Sequence, residues 1–492
     1  METHTRTVQR IAQAVSMLYK RKESFRIFHG STNTTRPQHR ERTIDISALS
    51  NILDIDEKAQ TILVEPNVPM DKLVAATLKN GLIPPVVMEF PGITVGGGFA
   101  GTAGESSSFK HGYFSDTIKG VEMILGNGSV VKASRLENPD LFKGAAGALG
   151  TLGIVTLLKL RLIPAKKFVR VSYHHTSSIA ETIDAVKREA GNADNDFVDG
   201  VLFSRSQGLV MVGRMTDDEP STEKPLTFSR PWDPWYYLHL QEKVSSSSQS
   251  HEDEYIPLGE YLFRWDRGGF WVGRHAFSWG MIPFNRFTRW LLNDFMHTRM
   301  LYRALRGSQQ YYELIIQDLA LPYSTAESFM EYAARELEIW PVWLCPLREM
   351  MGPSFHPYSK LDREPMLNFG LWGKGPRDPR AYLRQNRRIE EVLQRFGGRK
   401  VLYSQTFYTE DQFWELYDRE WYDDLRQRYH AGSMPSIYEK IKTPFEVEAP
   451  SQNLTARARR LWPLPGLIGA YGGVRSRDYV LHRRPEWRDN AH

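Results

Sequence analysis

The sequence predicts an α+β protein of two or three packed units. Three observations carry this reading. The chain has 492 residues against roughly 100 to 200 per domain. Short strand-like runs interleave with amphipathic helical ones along most of it. One glycine-rich segment, Thr94 to Gly112, lies between them. Hydrophobic residues at 41% and charged residues at 25% form an ordinary globular mixture, which excludes a disordered chain and a multi-span membrane protein. The net charge of +5, from 63 basic and 58 acidic residues, is too small and too evenly spread to point to nucleic acid.

Val8, Ile11, Ala12, Val15 and Leu18 fall on one face at helical spacing, so the chain opens with a helix. No signal-peptide pattern precedes it, and no run reaches the roughly 18 apolar residues of a spanning helix. Strands are expected at Phe25–Phe28, Thr43–Ile46, Ile52–Ile55 and Thr61–Val64. A helix carrying Met70, Leu73, Val74, Thr77 and Leu78 on one face follows, with Gly81 placed for a left-handed cap. Asn127-Gly128 marks a tight hairpin turn between "VEMIL" and "SVVKAS", both positions tolerating positive φ. A helix starts at Asn138–Phe142, and a last strand runs within Gly150–Ile163, closing an α+β unit near Pro164.

Beyond it, "FVRVSYHH" reads as a strand and "IAETIDAVKREA" as a helix. Asp217 to Glu254 is polar, with Ser245 to Ser248 a loop excursion. From Tyr261 to Phe295 aromatics are dense: Phe263, Trp265, Phe270, Trp271, Phe277, Trp279, Phe284, Phe287, Trp290 and Phe295. They read as core and pocket lining. Arg274, Arg286, Arg289 and Arg299 among them leave open a membrane-docking surface instead. The Arg-rich end, 446–492, reads as a loosely ordered tail; its apolar run Leu461–Ala470 is broken by prolines and too short to span a bilayer. Cys345, the single cysteine, sits in "WPVWLCPLR" as an apolar filler.

The glycine segment "TVGGGFAGTAGESSSFKHG" formally holds Gly96, Gly98 and Gly101 in the G-x-G-x-x-G pattern. The context of a dinucleotide-binding βαβ unit is missing, because a Pro-Gly bend precedes it and no apolar period follows. What remains is a run of backbone N–H groups clear of side chains, suited to a pyrophosphate lying along a loop. In "NPDLFKGAAGALGTLGIVTLLKLRLIP", small residues lead directly into a strand and let backbone approach a ring system.

Taken in order, the strand pairs, the helix, the glycine loop, "LGNGSVV", "NPDLF" and "GTLGIVT" resemble the FAD-binding domain of the vanillyl-alcohol oxidase superfamily, the PCMH fold, over Phe25 to Pro164. "GESSSFKHGYF", "LIPAKKFVRV", "FVDGVLFS", "IWPVWLCPL" and "FYTEDQFWELYDREWYDDLRQRY" extend the likeness, to about Lys440, to the Δ24-sterol reductases of the seladin and Diminuto group. The resemblance implies a two-subdomain PCMH-type FAD-binding domain at 1–165 and an α+β substrate (cap) domain at 166–445, whose C-terminal segment returns toward the flavin. It implies FAD and NADPH as cofactors and reduction of the side-chain double bond of a sterol. The flavin contacts it implies are Thr94, Val95, Gly96, Gly97, Gly98, Phe99, Ala100, Gly101, Thr102, Ala103, Gly104, Glu105 and Ser106, then Gly150, Thr151, Gly153, Ile154 and Val155.

Two departures qualify it. The hydrophobic anchor usual at the family's N-terminus is absent here, so a cytoplasmic protein, or one on the cytosolic face of the endoplasmic reticulum, with peripheral membrane contact is expected. The first loop, Phe28 to Arg36, carries His29 but not the differently placed histidine of covalently flavinylated relatives, so dissociable FAD is expected. Reduction of an isolated alkene needs a positioned acid in an apolar pocket. Of Tyr403, Tyr408 and Tyr422, Tyr403 is the chosen proton donor, and Glu105 is a candidate for ribityl or ribose hydroxyls. The 14 histidines show no metal-ligand spacing, so no metal is expected. An FAD-linked oxidase or dehydrogenase of an alcohol or secondary metabolite, with oxygen as acceptor, is the alternative.

Overall fold

The computed structural model of the protein describes residues 1–30, 42–220, 224–245, 253–308, 313–350, 352–358, 364–443, 471, 474–483 and 485–489. The first helix runs Glu2–Lys20 and buries Val8, Ile11, Val15 and Leu18. Ala12, expected on that stripe, is half-buried at its edge. The buried face packs on Ile44, Ile46, Ile124 and Ile154. Gly128 permits this approach, since a Cβ there would lie 2.7 Å from the Ala12 carbonyl oxygen. The hairpin turn is longer than the two-residue form expected. Only Gly128 takes positive φ, and the Leu125 N–H donates to the Ser129 carbonyl at 2.8 Å. Asn127 acts through its side chain, accepting the Ser129 N–H at 2.9 Å.

A five-stranded antiparallel sheet follows, in the order Ile52–Asp56, Thr61–Val64, Ile154–Arg161, Ile118–Ile124, Val130–Ser134. Ile154–Arg161 lies at its centre and buries alternate residues, as a strand facing one core must. The helix Met70–Leu78 buries Met70, Leu73, Val74 and Thr77 beside it. Gly81, at φ 64, closes that helix with its N–H on the Leu78 carbonyl at 3.0 Å.

The second sheet has eight strands, ordered Glu254–Pro257, Phe168–Thr176, Gln207–Thr216, Phe197–Ser204, Val342–Leu347, Met366–Lys374, Leu314–Pro322, Arg399–Lys400. All its pairings are antiparallel. Its two faces separate with period two. Val198, Leu319, Leu344 and Leu371 pack under the helices Ile179–Ala190, Tyr323–Glu336 and Pro379–Arg395, while Val201, Trp343 and Trp372 join the main core on the other face. Cys345 is fully buried in this sheet, and burial pushes its thiol pKa up, as befits a filler.

Two expectations are corrected. The polar stretch before Glu254 contains a helix, Tyr236–Ser245, because Tyr236, Tyr237 and Leu240 supply a buried face; Ser246 to Ser248 lie outside the described residues. The described part of the tail is docked rather than loose. Trp487 is buried beside Gly259 and Phe263, Arg303 pairs with Asp478, and Arg483 pairs with Asp294 at 2.8 Å. Leu461–Ala470 and most of Phe28–Arg36 lie outside the described residues. No described helix is long and apolar enough to cross a membrane.

Candidate active site

One cavity, of about 960 Å³, is lined by residues of both sheets, of the glycine segment and of the aromatic stretch. The glycine segment is not the extended loop expected. Val95–Ala100 forms a short helix capped by Thr94, whose Oγ1 accepts the Gly97 N–H at 3.2 Å. Val95 and Phe99 are buried and anchor it to the core. Crowding explains two of its glycines. A Cβ on Gly96 would stand 2.7 Å from Pro66 Cβ, and one on Gly98 would stand 2.5 Å from Met88 Cε.

The amides at the start of this helix are therefore already engaged, Val95 on Val68, Gly96 on Pro66 and Gly98 on Thr94. The open donors come after it. Gly101 has φ −104 and ψ 9, Thr102 turns left-handed at φ 60, and the pair bends the chain into a concavity. The amides of Thr102, Ala103 and Gly104, all on the cavity wall, donate to no carbonyl or side chain among the described residues. Thr102 is buried and Ala103 and Gly104 are half-buried, so these donors on the cavity wall are open to acceptors from a ligand, which an anionic pyrophosphate offers.

Of the expected contacts, Thr94, Gly96, Gly97, Ala100, Gly101, Thr102, Ala103, Gly104, Glu105, Gly150, Gly153 and Val155 line the cavity, as does Tyr403. Val95, Gly98, Phe99, Ser106, Thr151 and Ile154 do not. The first three face the core side of the short helix. Ser106 accepts the Val198 N–H at 2.8 Å, Thr151 is bound by the Tyr422 hydroxyl at 2.7 Å, and Ile154 packs under the first helix. Tyr422 is thus a brace beneath the second glycine wall, and Tyr408 is likewise off the cavity. His29 and Lys440 share the wall with Gly150, Lys440 donating to the Leu149 carbonyl.

Also on the cavity wall, the Tyr403 hydroxyl donates to the Asp318 carboxylate. Asn368 Nδ2 donates to the same group at 2.7 Å and Trp372 Nε1 at 3.2 Å. Burial raises the Asp318 pKa to about 6 against the lowering by these donors, and pushes that of Tyr403 well up. Glu105 meets Glu89, whose N–H it accepts at 3.3 Å. Burial first, and then the Glu89 charge, hold the Glu105 carboxyl well above its ordinary range. Two protonatable sites therefore face one largely apolar cavity.

The FAD binding domain family matches residues 4–134. Over 403 residues the chain is 30% identical to the Delta(24)-sterol reductase of mouse (Mus musculus), covering 80% of this chain and 76% of that protein. That of Arabidopsis thaliana is 28% identical over 451 residues, 84% of this chain and 79% of its own. The chain belongs to the Delta(24)-sterol reductase family. Cytokinin dehydrogenase 4 of Oryza sativa subsp. japonica is 33% identical over 137 residues, 27% of this chain and 26% of its own, which ties the family to the wider PCMH-type flavoproteins. This family member is thus an FAD-dependent oxidoreductase with an α+β fold, and the open amides of Thr102 to Gly104 fit the group that such a domain holds.

Sequence reading missed Glu89, Asp318 and Asn368. Their signal was present: each is a polar residue inside an apolar run, "PPVVMEFPG", "LIIQDLALP" and "PMLNFGLW". The structure also gathers Asp266, His297 and His482, whose ligand atoms lie within 4.8 Å of one another and which spacing could not reveal. The two imidazoles stack in parallel at 4.1 Å, and the Asp266 carboxylate is taken by His297 Nδ1 at 2.6 Å and the Thr298 N–H at 3.0 Å. This geometry pins the C-terminal segment to the body.

Proposed function

We propose that the protein, acting from the cytosol or the cytosolic face of the endoplasmic reticulum, reduces the side-chain Δ24 double bond of a sterol. NADPH serves as reductant and FAD is held without a covalent bond. The observation that carries this is the single cavity that joins the open amides of Thr102, Ala103 and Gly104 to an acid pair, Asp318 and Tyr403, across apolar and aromatic walls. A large apolar substrate suits that lining, and a site made for a polar metabolite would present more hydrogen-bonding side chains.

Bound there and reduced by NADPH, FAD would supply a hydride. Thr102, Ala103 and Gly104 would hold the pyrophosphate, while Gly97, Gly150 and Gly153, on the same cavity wall, would face the rest of the cofactor. Phe270, Trp343 and Trp372 exclude water from the alkene. One alkene carbon receives hydride, and the other receives a proton from the Tyr403 hydroxyl, which Asp318 replaces across their shared hydrogen bond. Glu105, whose carboxyl burial holds well above its ordinary range, can hold a second proton beside Gly104 on the cavity wall.

Anaerobic titration of the FAD-loaded protein with NADPH tests this, with desmosterol added once the flavin is reduced. Bleaching by NADPH and recovery of absorbance with the sterol are the expected results. Flavin that NADPH leaves oxidised, but that an alcohol substrate reduces with peroxide formed in air, would replace the reductase reading with the oxidase one.

A further inference from the structure

Between Arg267 and Asn293 the chain carries no acidic residue, and its aromatics divide into two sets. Phe270, Trp271 and Phe277 are buried in the body. The following segment turns outward, leaving Met281 69%, Phe287 65%, Leu291 60% and Trp290 48% exposed. The helix Arg286–Leu291 buries none of its residues. It is set instead by its own cap, Asn285 Oδ1 accepting the Thr288 N–H at 3.0 Å and Thr288 Oγ1 accepting the Asn285 N–H at 3.2 Å. Local sequence thus builds a helix that presents Phe287 and Trp290, with rings 5.9 Å apart, to the outside.

Cations flank this apolar face. Arg286 is exposed, while Arg274 and Arg289 lie 5.4 and 5.0 Å from the ring centre of Phe284. The same segment forms the rim of the cavity: Trp279, Gly280 and Ile282 line it, and Ile282 is also 37% exposed. The apolar surface outside is therefore continuous with the apolar lining inside. Contiguous exposed apolar groups on a water-facing surface mark an interaction site, and aromatics interleaved with arginine suit the headgroup boundary of a bilayer. A second copy docking by the same patch would set Arg274, Arg286 and Arg289 near their own counterparts, whereas anionic headgroups neutralise them.

We propose that Met281–Leu291 is a docking lip that seats the protein on an anionic membrane surface and opens the cavity to lipid. A lipid-soluble substrate then passes from bilayer to cavity without crossing water. The identity of that substrate rests on the sterol reading; the docking does not.

The test is co-sedimentation of the full-length, FAD-loaded protein with vesicles of phosphatidylcholine alone or with phosphatidylserine, comparing wild type with the double variant Phe287→Ser, Trp290→Ser. Wild type is expected to bind the phosphatidylserine vesicles more strongly. The variant should lose about ten-fold or more in partitioning, the effect of withdrawing two large apolar side chains from the interface, with FAD content and melting temperature unchanged. Turnover of sterol supplied in vesicles should fall in the variant, while turnover of sterol supplied in cyclodextrin stays the same. Equal vesicle binding by wild type and variant would overturn the lip. So would a wild-type dimer that the variant splits, which would give the patch to a second copy. Vesicle binding lost in the variant, in a protein whose flavin NADPH does not bleach, keeps the lip and discards the reductase reading.

Discussion

Tyr403 and Asp318 share one hydrogen bond at the cavity wall, the phenol donating and the carboxylate accepting. With Asn368 and Trp372 also donating, the carboxylate is fully engaged, yet burial still leaves its pKa raised to about 6. The protonated form is the one able to resupply Tyr403, so the rate at which substrate reoxidises the reduced flavin should fall as pH rises through about 6. Asp318→Asn should remove that limb and lower the rate about 10²-fold or more. Tyr403→Phe should lower it similarly and also remove the limb, because no phenol remains for Asp318 to resupply. Stopped-flow traces across pH check this. Unaltered rates in both variants would remove the pair from the mechanism.

The glycine helix makes a different kind of claim, one about space. Gly98→Ala places a methyl 2.5 Å from Met88 Cε and 2.8 Å from the Phe114 ring, so either the helix or the core must shift. Overpacking of this sort costs about 1–3 kcal/mol. Because the displaced helix leads into Thr102, FAD affinity should weaken as well. Thr94→Ala, which removes the cap on Gly97, should cost about 1 kcal/mol with a smaller loss of affinity. Thermal melts with and without added FAD separate the two effects. A Gly98→Ala protein with wild-type melting temperature would show that the contact relaxes freely.

These positions also show what a sequence exposes and what it hides. The first helix, the hairpin strands and the strand Ile154–Arg161 follow from periodicity, because each buries one side against one core. The helix Val95–Ala100 was hidden by its glycines, which score against helix locally, while Thr94, Val95 and Phe99 secure it through tertiary contacts. Among 22 tyrosines the sequence narrows the choice to Tyr403, Tyr408 and Tyr422 of the C-terminal segment, and what singles out Tyr403 in the structure is Asp318, 85 positions away. Asp318 was itself visible as an acid within an apolar strand, but its partner was not. Pairings across that distance depend on sheet register, here Asp318 opposite Gly370 and beside the Val401 amide, which no local pattern specifies.

Arg264 and Asp199 form a buried ion pair at 3.0 Å beneath the cavity, with both side chains nearly or fully enclosed. Trp343 Nε1 donates to the same Asp199 oxygen at 3.1 Å, and the guanidinium lies 3.9 Å from the Tyr261 ring centre. Asp199→Ala leaves the cation without its counter-charge and should destabilise the protein by about 3–5 kcal/mol. Replacing both partners, Asp199→Leu with Arg264→Met, should recover much of that loss. Denaturant unfolding of the single and double variants measures the difference. A double variant no better than the single one would place the cost in lost packing against Tyr261.

His482 offers a pH-dependent prediction at the C-terminal segment. Its ring is buried on that of His297, and its pKa is held well below the ordinary 6.5, first by burial and then by His297, with Arg299 adding to the effect and the Asp266 charge opposing it. The docked segment therefore favours the neutral imidazole, while the undocked segment takes up a proton near the ordinary value. A depressed folded-state pKa gives a stabilisation that is present above about 6.5 and is lost as pH falls below it. Limited proteolysis within Asp478–Asp489 should accordingly speed up between about pH 7 and 5 while the body stays intact. His482→Phe keeps the ring contact without the proton, and its cleavage rate should be flat across that window. Cleavage of the wild type that ignores pH would mean that Trp487 and the Arg303–Asp478 and Arg483–Asp294 pairs hold the segment without help from the stacked imidazoles.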